Sequence, residues 1–255
     1  MKRAKRASLL VLPIVAGLAM LGAVAGQSQG LLNARLHPFS ANREQSAAGS
    51  LGGVLARDDD GPVDDNSRAA VRRRLRSGEA GTYIGEILRA RDSSLARWPD
   101  RRDRPLSVWI QPSANIDDWV PGYVRQVQDA FDEWDQVDLP VHFVFVDDSS
   151  SAEVHVTWLD HFDEPISGRT RWARDDGWWI TDANIALAVH HHQGEVLDQE
   201  AMRAMALHEI GHLLGLDHTQ DATSIMAAKV RVRDLSDADR ATVRLLYSLP
   251  PGAVR

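Results

Sequence analysis

The sequence predicts a compact α/β (α+β) domain in its second half, and three observations lead to that prediction. Apolar residues make up 44% of the chain and charged residues 25%, which is the balance of a globular protein with a substantial core. From residue 98 onward, strand-like and helical patterns follow one another in the order β-α-β-β-β-β-α-α. No internal repeat is visible, so this order is compatible with one domain of about 150 residues.

Each element of this domain follows from a local pattern. Strands are indicated where apolar and polar residues alternate, or where β-branched and aromatic residues dominate. Five strands are predicted, over residues 106–110, 141–146, 154–158, 169–173 and 184–189. Helices are indicated by apolar residues that recur every three or four positions, and the last begins at a capping box of Ser236 and Asp239. Three helices are predicted, over residues 123–137, 198–214 and 236–247.

The first 25 residues have the form of an export signal. A basic stretch at residues 2–6 precedes an apolar run over residues 9–25, which ends in the small residues of a cleavage site. Proline and glycine interrupt this run, and it is shorter than the roughly 20 residues that span a membrane. Residues 1–25 are therefore predicted to be a signal peptide or an uncleaved signal anchor. The rest of the chain would then be exported: extracellular, periplasmic or anchored to the outer face of the membrane.

Two further regions are predicted between this segment and the domain. Small and polar residues dominate residues 26–66, which are expected to form a flexible linker. Residues 67–97 show helical spacing and are predicted to form a basic helical arm of two helices, divided near Gly78 and Gly81. The arm contains a basic patch that could contact anionic lipid, the acidic part of the chain, or only solvent. This patch consists of Arg72, Arg73, Arg74 and Arg76.

Charge and cysteine content exclude several classes of function. The chain carries 29 basic and 36 acidic residues, and this acidic balance argues against a general nucleic-acid binder. The charge is unevenly distributed, because residues 1–104 hold 18 basic and 11 acidic side chains, and residues 105–255 hold 11 and 25. The absence of cysteine excludes disulfides, thiolate metal sites, iron–sulfur clusters and a cysteine nucleophile.

The segment from His208 to His218 has the spacing of a metal site. His208 and His212 are four residues apart, so they share one face of the predicted helix and can both point at one ion. Gly215 stands where the helix must end, so the chain can turn and bring His218 to the same ion. Three neutral imidazoles leave one position open for water, which is typical of a catalytic zinc site.

Glu209 and Met226 complete this pattern. Glu209 follows the first histidine and lies about 100° round the helix, so it can reach a water at the metal without being a ligand. There it can take the proton of the attacking water and deliver it to the leaving nitrogen. The longer HExxHxxGxxH form is followed by a methionine in metzincins, and Met226 stands eight residues after the third histidine. It is expected to form an apolar base beneath the imidazoles, a role close to ordinary core packing.

The chain resembles the matrixins, the matrix-metalloproteinase-like branch of the metzincin zinc peptidases. Residues 206–219 look like the matrixin active-site helix throughout, and residues 235–247 are similar to the closing helix of the family. Trp98, Phe131 and Trp134 also fit, so the resemblance covers about residues 98–249. It implies a twisted, mostly parallel five-stranded sheet with an antiparallel edge strand and three helices.

The resemblance also implies a function for residues 98–250, the matrixin-like catalytic domain. The implied function is that of a zinc-dependent metalloendopeptidase, which hydrolyses peptide bonds of extended polypeptides with one catalytic Zn²⁺ and a glutamate general base. The peptide or protein substrate would bind along an edge strand by β-augmentation. The candidate strand supplies the expected substrate-binding residues Thr170, Arg171, Trp172 and Ala173. Two alternatives remain: a zinc-binding protein of the same fold that is a non-proteolytic binding module, and a zinc hydrolase of non-peptide substrates.

The chain departs from the family in several places. The propeptide cysteine that keeps animal matrixins latent is absent. His161 and Asp163 have the local spacing of a structural zinc site, but Trp172 stands where a further histidine is expected, so a polar loop is favoured. Calcium sites cannot be transferred either. The tract at residues 190–192, three histidines, follows a strand whose alternating side chains suit chelation poorly, so an exposed turn is favoured. Membrane contact is expected only through an uncleaved N-terminal segment, and the oligomeric state is left open.

Overall fold

The computed structural model of the chain describes residues 65–254. The predicted export signal and nearly all of the predicted linker lie outside this range. Among the helices within it, none is long and apolar enough to cross a membrane.

The described chain begins with two helices and a short strand. These are α1 (Asp65–Gly78), α2 (Ile84–Ala90) and β1 (Ser94–Leu95). The prediction of continued helix up to residue 97 was wrong, because Asp92 and Ser93 adopt positive φ angles of 48° and 62° that end the helical path. Leu95 therefore lies in a strand, although its spacing from the preceding apolar residues suits a helix.

A five-stranded sheet forms the centre of the described part of the chain. In chain order it consists of β2 (Arg101–Ile110), β3 (Val141–Phe145), β4 (Val154–Leu159), β5 (Gly168–Arg174) and β6 (Ile180–Ala188). The spatial order is β3-β2-β4-β6-β5, in which all neighbours are parallel except β5, which is antiparallel to β6. The predicted mostly parallel sheet with an antiparallel edge strand is confirmed.

Three helices accompany the sheet. The first, α3 (Gly122–Asp135), lies between β2 and β3 in the chain, and α4 (Gln199–Leu213) and α5 (Asp237–Ser248) follow the last strand of the sheet. The indole of Trp134 on α3 donates a hydrogen bond to the carbonyl of Leu207 on α4 at 2.9 Å, which fixes the two helices side by side. The predicted capping box at Ser236 and Asp239 starts α5.

Residues on both sides of position 98 share one hydrophobic core. Ile84, Ile87 and Leu95 are fully buried in the same cluster as the apolar residues of the sheet and of α4. A last short strand, β7 (Gly252–Ala253), pairs with β1 in antiparallel fashion. The predicted boundary at residue 98 stays a prediction, but the side chains just before it pack as part of the domain.

Candidate metal centre

The three histidines of the predicted metal site converge, although His218 lies outside the helix that carries the other two. The Nε2 atom of His212 lies 3.2 Å from Nε2 of His208 and 3.2 Å from Nε2 of His218. The remaining pair, His208 and His218, is 3.3 Å apart. Within residues 65–254, no other group of three histidine, aspartate or glutamate side chains comes together closely enough to hold an ion.

The hydrogen bonds behind the rings show what this triangle can bind. His208 Nδ1 lies 2.7 Å from the carbonyl of Ile225, and His212 Nδ1 lies 3.1 Å from the carbonyl of Leu216. A carbonyl only accepts, so Nδ1 carries the proton in both rings and Nε2 presents a lone pair. Tetrahedral zinc, with Zn–N distances of about 2.0–2.1 Å, places its ligand nitrogens about 3.3 Å apart. The observed spacings therefore fit one zinc ion.

Burial keeps the three imidazoles neutral. It lowers the pKa of His208 to about 4 and the pKa of His212 well below its usual value. The pKa of His218 is lowered as well, again mainly by burial. Because a histidine must be neutral to bind a metal, the three rings can bind a cation at neutral pH without first losing a proton.

The turn between the second and third histidines depends on Gly215. After α4 the backbone N–H of Gly215 bonds to the carbonyl of His212, and that of Leu216 bonds to the carbonyl of Gly211. These are the two bonds of a Schellman motif, which requires a left-handed residue, and Gly215 has φ +97°. A Cβ at this position would also collide with the carbonyl of Ala96. The predicted helix end is thus observed, and it directs the chain back towards His218.

Glu209 is buried between α4 and the edge strand β5. Only 3% of the residue is exposed, and its Oε2 accepts a hydrogen bond of 2.7 Å from the hydroxyl of Thr170. A Cβ at Gly168 would stand 2.5 Å from Oε1, so the glycine makes room for the carboxylate. Burial raises the pKa of Glu209 to about 7, while the hydrogen bond from Thr170 opposes that shift. The group can therefore accept and release a proton near neutrality.

Comparisons with known proteins agree with this geometry. The peptidase family model described as Matrixin matches residues 117–248, just over half of the chain. The chain belongs to the matrixin family.

Individual relatives are distant. Over 193 residues, 66% of the chain, it is 26% identical to Metalloendoproteinase 5-MMP of Arabidopsis thaliana and covers 51% of that protein. Over 143 residues, 48% of the chain, it is 31% identical to Metalloendoproteinase 1-MMP of the same plant, covering 37%. Over 177 residues, 62% of the chain, it is 28% identical to Matrix metalloproteinase-C of Caenorhabditis elegans, covering 28%. This matrixin therefore spans about half the length, or less, of these relatives.

Met226 lies against the metal-site helix of the matrixin domain. Met226 is fully buried, and its sulfur fills the space that a side chain at Gly211 would take. The carbonyl of Met226 accepts a hydrogen bond of 3.0 Å from the backbone of Thr219, and the preceding residue, Ile225, holds His208. The turn that contains Met226 thus holds His208 through Ile225 and fixes the backbone of Thr219, the residue next to His218.

The four expected substrate-binding residues of this matrixin divide between the two faces of β5. Thr170 and Trp172 are half-buried on the side of the metal-site helix, whereas Arg171 and Ala173 are exposed. Thr170 contacts the side chain of Glu209 rather than solvent. The sequence offered no sign of this contact or of the role of Gly168, because the paired residues are about 40 positions apart.

The histidine tract of this matrixin at residues 190–192 was predicted to be an exposed turn. That holds for His192, which is exposed in a turn, whereas His190 and His191 are half-buried. His190 lies between Asp160 at 2.7 Å and Asp118 at 3.2 Å. His191 pairs with Ser167 at 2.8 Å, and His192 lies 3.1 Å from the carbonyl of Phe162. These contacts tie down the loop that leads into β5. His161 and Asp163 are exposed, and His161 pairs with the neighbouring Asp160.

Proposed function

We propose that this matrixin is a zinc-dependent metalloendopeptidase that hydrolyses peptide bonds of extended polypeptides. The observation that carries the proposal is the buried triangle of three Nε2 lone pairs beside the buried carboxylate of Glu209. The names of the related metalloendoproteinases support it.

The proposal assigns His208, His212 and His218 to one Zn²⁺. When bound, the ion acts as a Lewis acid that polarises the scissile carbonyl and lowers the pKa of water. The backbone carbonyls of Ile225 and Leu216 hold the first two rings in the tautomer that directs Nε2 at the ion. Met226 packs against the helix behind these rings.

Glu209 is proposed to be the general base and then the general acid. It takes a proton from the water that attacks the peptide carbonyl, and it delivers that proton to the leaving amide nitrogen as the C–N bond breaks. The products are a new carboxylate and a new amine. The burial that raises the pKa of Glu209 suits both steps, because a group that must gain and lose a proton works best when its pKa lies close to the ambient pH.

The substrate is proposed to add as a further strand to β5. Within the described residues β5 is the last strand of the sheet on this side, and it also contacts Glu209. Main-chain hydrogen bonds to an edge strand hold a peptide in extended form beside the catalytic group. Of the four proposed contact residues, Arg171 and Ala173 are exposed, while Thr170 and Trp172 are turned inwards.

The location of the protein is a separate proposal. The basic start and the apolar run of residues 1–25 support export, with the matrixin domain on the outer side of the membrane. A fusion of these residues to a reporter that is active only outside the cytoplasm would test it, and an inactive reporter would contradict it.

A mixed peptide library tests the activity. The zinc-loaded 255-residue chain is expected to cut peptides at internal bonds, and a chelator or Glu209→Ala is expected to abolish cleavage. Cleavage that survives in Glu209→Ala would contradict the proposed mechanism. Zinc binding without cleavage of any peptide would favour the alternative, a non-proteolytic binding module of the same fold.

A further inference from the structure

Arg91 connects the segment before the predicted domain boundary to the turn that carries the third histidine. Its Nε donates to Oδ2 of Asp217 at 3.0 Å. The two terminal nitrogens of the guanidinium donate to the carbonyls of Gly215 and Leu216, each at 3.1 Å. One planar side chain therefore binds three consecutive residues of the turn, and it does so with donors spread over a rigid fork that the compact ammonium of a lysine does not reproduce.

Two of the three groups that Arg91 binds also hold histidines. The carbonyl of Leu216 also accepts the hydrogen bond from Nδ1 of His212. The other carboxylate oxygen of Asp217 accepts a hydrogen bond of 2.8 Å from the backbone N–H of His218. Arg91 thus shares the Leu216 carbonyl with the ring of His212, and it shares the Asp217 carboxylate with the backbone of His218.

The position of Arg91 is itself well fixed. It follows α2 directly, and its backbone N–H bonds to the carbonyl of Ile87, a fully buried residue. Only 17% of the Arg91 side chain is exposed. Within α2, Glu86 accepts hydrogen bonds from the backbone of Gln220 at 2.9 Å and from the hydroxyl of Thr219 at 3.2 Å. The helix and its C-cap residue Arg91 therefore contact the turn on both sides of His218.

We propose that Arg91 is a positioning residue of the metal centre. It holds the Leu216 carbonyl and the Asp217 carboxylate where His212 and His218 need them, so that the three Nε2 atoms are preorganised for one ion. Groups that orient metal ligands in this way typically change metal affinity by about 10–100-fold when they are removed. The inference rests on the proposed function only in taking zinc as the ion.

The test compares Arg91→Gln with Arg89→Gln in the 255-residue chain. Arg89 is the matched control, since it lies on α2, the helix that Arg91 caps, is exposed, and within residues 65–254 bonds only to the carbonyl of Gly85. Zinc affinity is measured by competition with a chromogenic chelator. We expect Arg91→Gln to bind zinc about 10–100-fold more weakly, and Arg89→Gln to match the unaltered chain.

A second readout separates positioning from loss of stability. In the cobalt-substituted chain, Arg91→Gln is expected to shift the ligand-field absorption bands, which a merely less stable fold with an intact site would leave unchanged. If Arg91→Gln does not fold, the comparison is repeated with Arg91→Lys and Arg89→Lys. We then expect Arg91→Lys to bind zinc about tenfold or more weakly than Arg89→Lys. Equal zinc affinity and equal cobalt spectra in the two variants of a pair would overturn the proposal. Failure of the proposed function would look different: the unaltered chain would bind zinc without cutting peptides.

Discussion

Glu209 connects two elements, because its backbone lies in α4 and its carboxylate accepts a hydrogen bond from Thr170 of β5. The Thr170 hydroxyl has one hydrogen, and it lies within reach of both Oε2 at 2.7 Å and the carbonyl of Glu209 at 2.9 Å. This contact limits the rotamers of the proposed catalytic group, which must point at the reacting water. The strand that is proposed to receive the substrate therefore also orients the proposed general base.

Replacing Thr170 by valine removes this hydrogen bond and keeps the shape of the side chain. A hydrogen bond to a charged group contributes about 1.5–3 kcal/mol, so kcat is expected to fall roughly 10–100-fold. KM should change little, because the hydroxyl faces the helix and not the exposed side of β5. Thr170→Ser should restore most of kcat, whereas Thr157→Val on β4 serves as the control. A kcat of Thr170→Val equal to that of the control would contradict this role.

At the scale of single residues, the sequence predicted what one helix and its end determine. His208, His212 and Gly215 are related by the geometry of α4, so their spacing alone places them. Thr170 and Arg91 were not predicted as supports of the site, because each meets its partner across a long stretch of chain. No local pattern records such contacts, which arise only when β5 and α2 pack against α4 and its turn.

Several elements meet at His190, a residue that the sequence had placed in an exposed turn. The residue follows β6, Asp160 follows β4, and Asp118 precedes α3. Burial lowers the pKa of His190, but the hydrogen bonds and charges of Asp118 and Asp160 outweigh it and raise the pKa above its usual value. The protonated ring therefore stabilises the folded state.

This linkage predicts a pH dependence of stability. The contribution of His190 is fully present below the unfolded pKa of about 6.5 and is lost as the pH rises through the higher folded pKa. The free energy of unfolding of the unaltered chain, minus that of His190→Gln, should therefore decrease from about pH 6 towards alkaline pH. Urea titrations at several pH values measure this difference, in which the titration of the other histidines cancels. A difference that stays constant with pH would contradict the assignment.

Element boundaries show where local patterns cease to decide. The strands and helices after residue 98 lie close to their predicted positions, because each has a clear period of apolar residues. Leu95 fits a helical period but lies in β1, where it pairs with Gly252 near the other end of the chain. The strand β2 begins at Arg101, earlier than predicted. Residues 101–104 are all charged and show no alternation of apolar and polar residues, so this start depends on the pairing of Arg101 with Val141 of β3. Pairing between distant segments overrides local periodicity in both places.

At the scale of the whole molecule, the segment before residue 98 behaves as part of the domain. The hydroxyl of Tyr83 donates a hydrogen bond of 3.0 Å to the carboxylate of Asp239 on α5, and the guanidinium of Arg97 donates one of 3.0 Å to the carbonyl of Leu249. The aliphatic side chains of α2 and β1 fill the core beside them. The segment therefore has a structural role that its basic composition did not predict.

A truncated chain tests this role. A fragment of residues 98–255 loses the buried side chains Ile84, Ile87, Leu88 and Leu95, each of which stabilises the fold by about 1.5–3 kcal/mol. That loss approaches the total stability of a typical domain, about 5–15 kcal/mol, so the fragment is expected to lack a cooperative thermal transition. A fragment of residues 79–255, which keeps α2 and β1, should retain one. Equal transition temperatures for the two fragments would instead support a domain boundary at residue 98.

One zinc ion and Glu209 are together proposed to hydrolyse peptide bonds, and a zinc titration of the zinc-free chain tests this proposal. Peptide cleavage and zinc binding are recorded together for the unaltered chain and for Glu209→Gln. We expect cleavage by the unaltered chain to rise with zinc and to level off at one ion per chain, while Glu209→Gln binds one ion and cleaves nothing. Comparable cleavage by Glu209→Gln, or full cleavage before zinc is added, would contradict the joint role of zinc and Glu209.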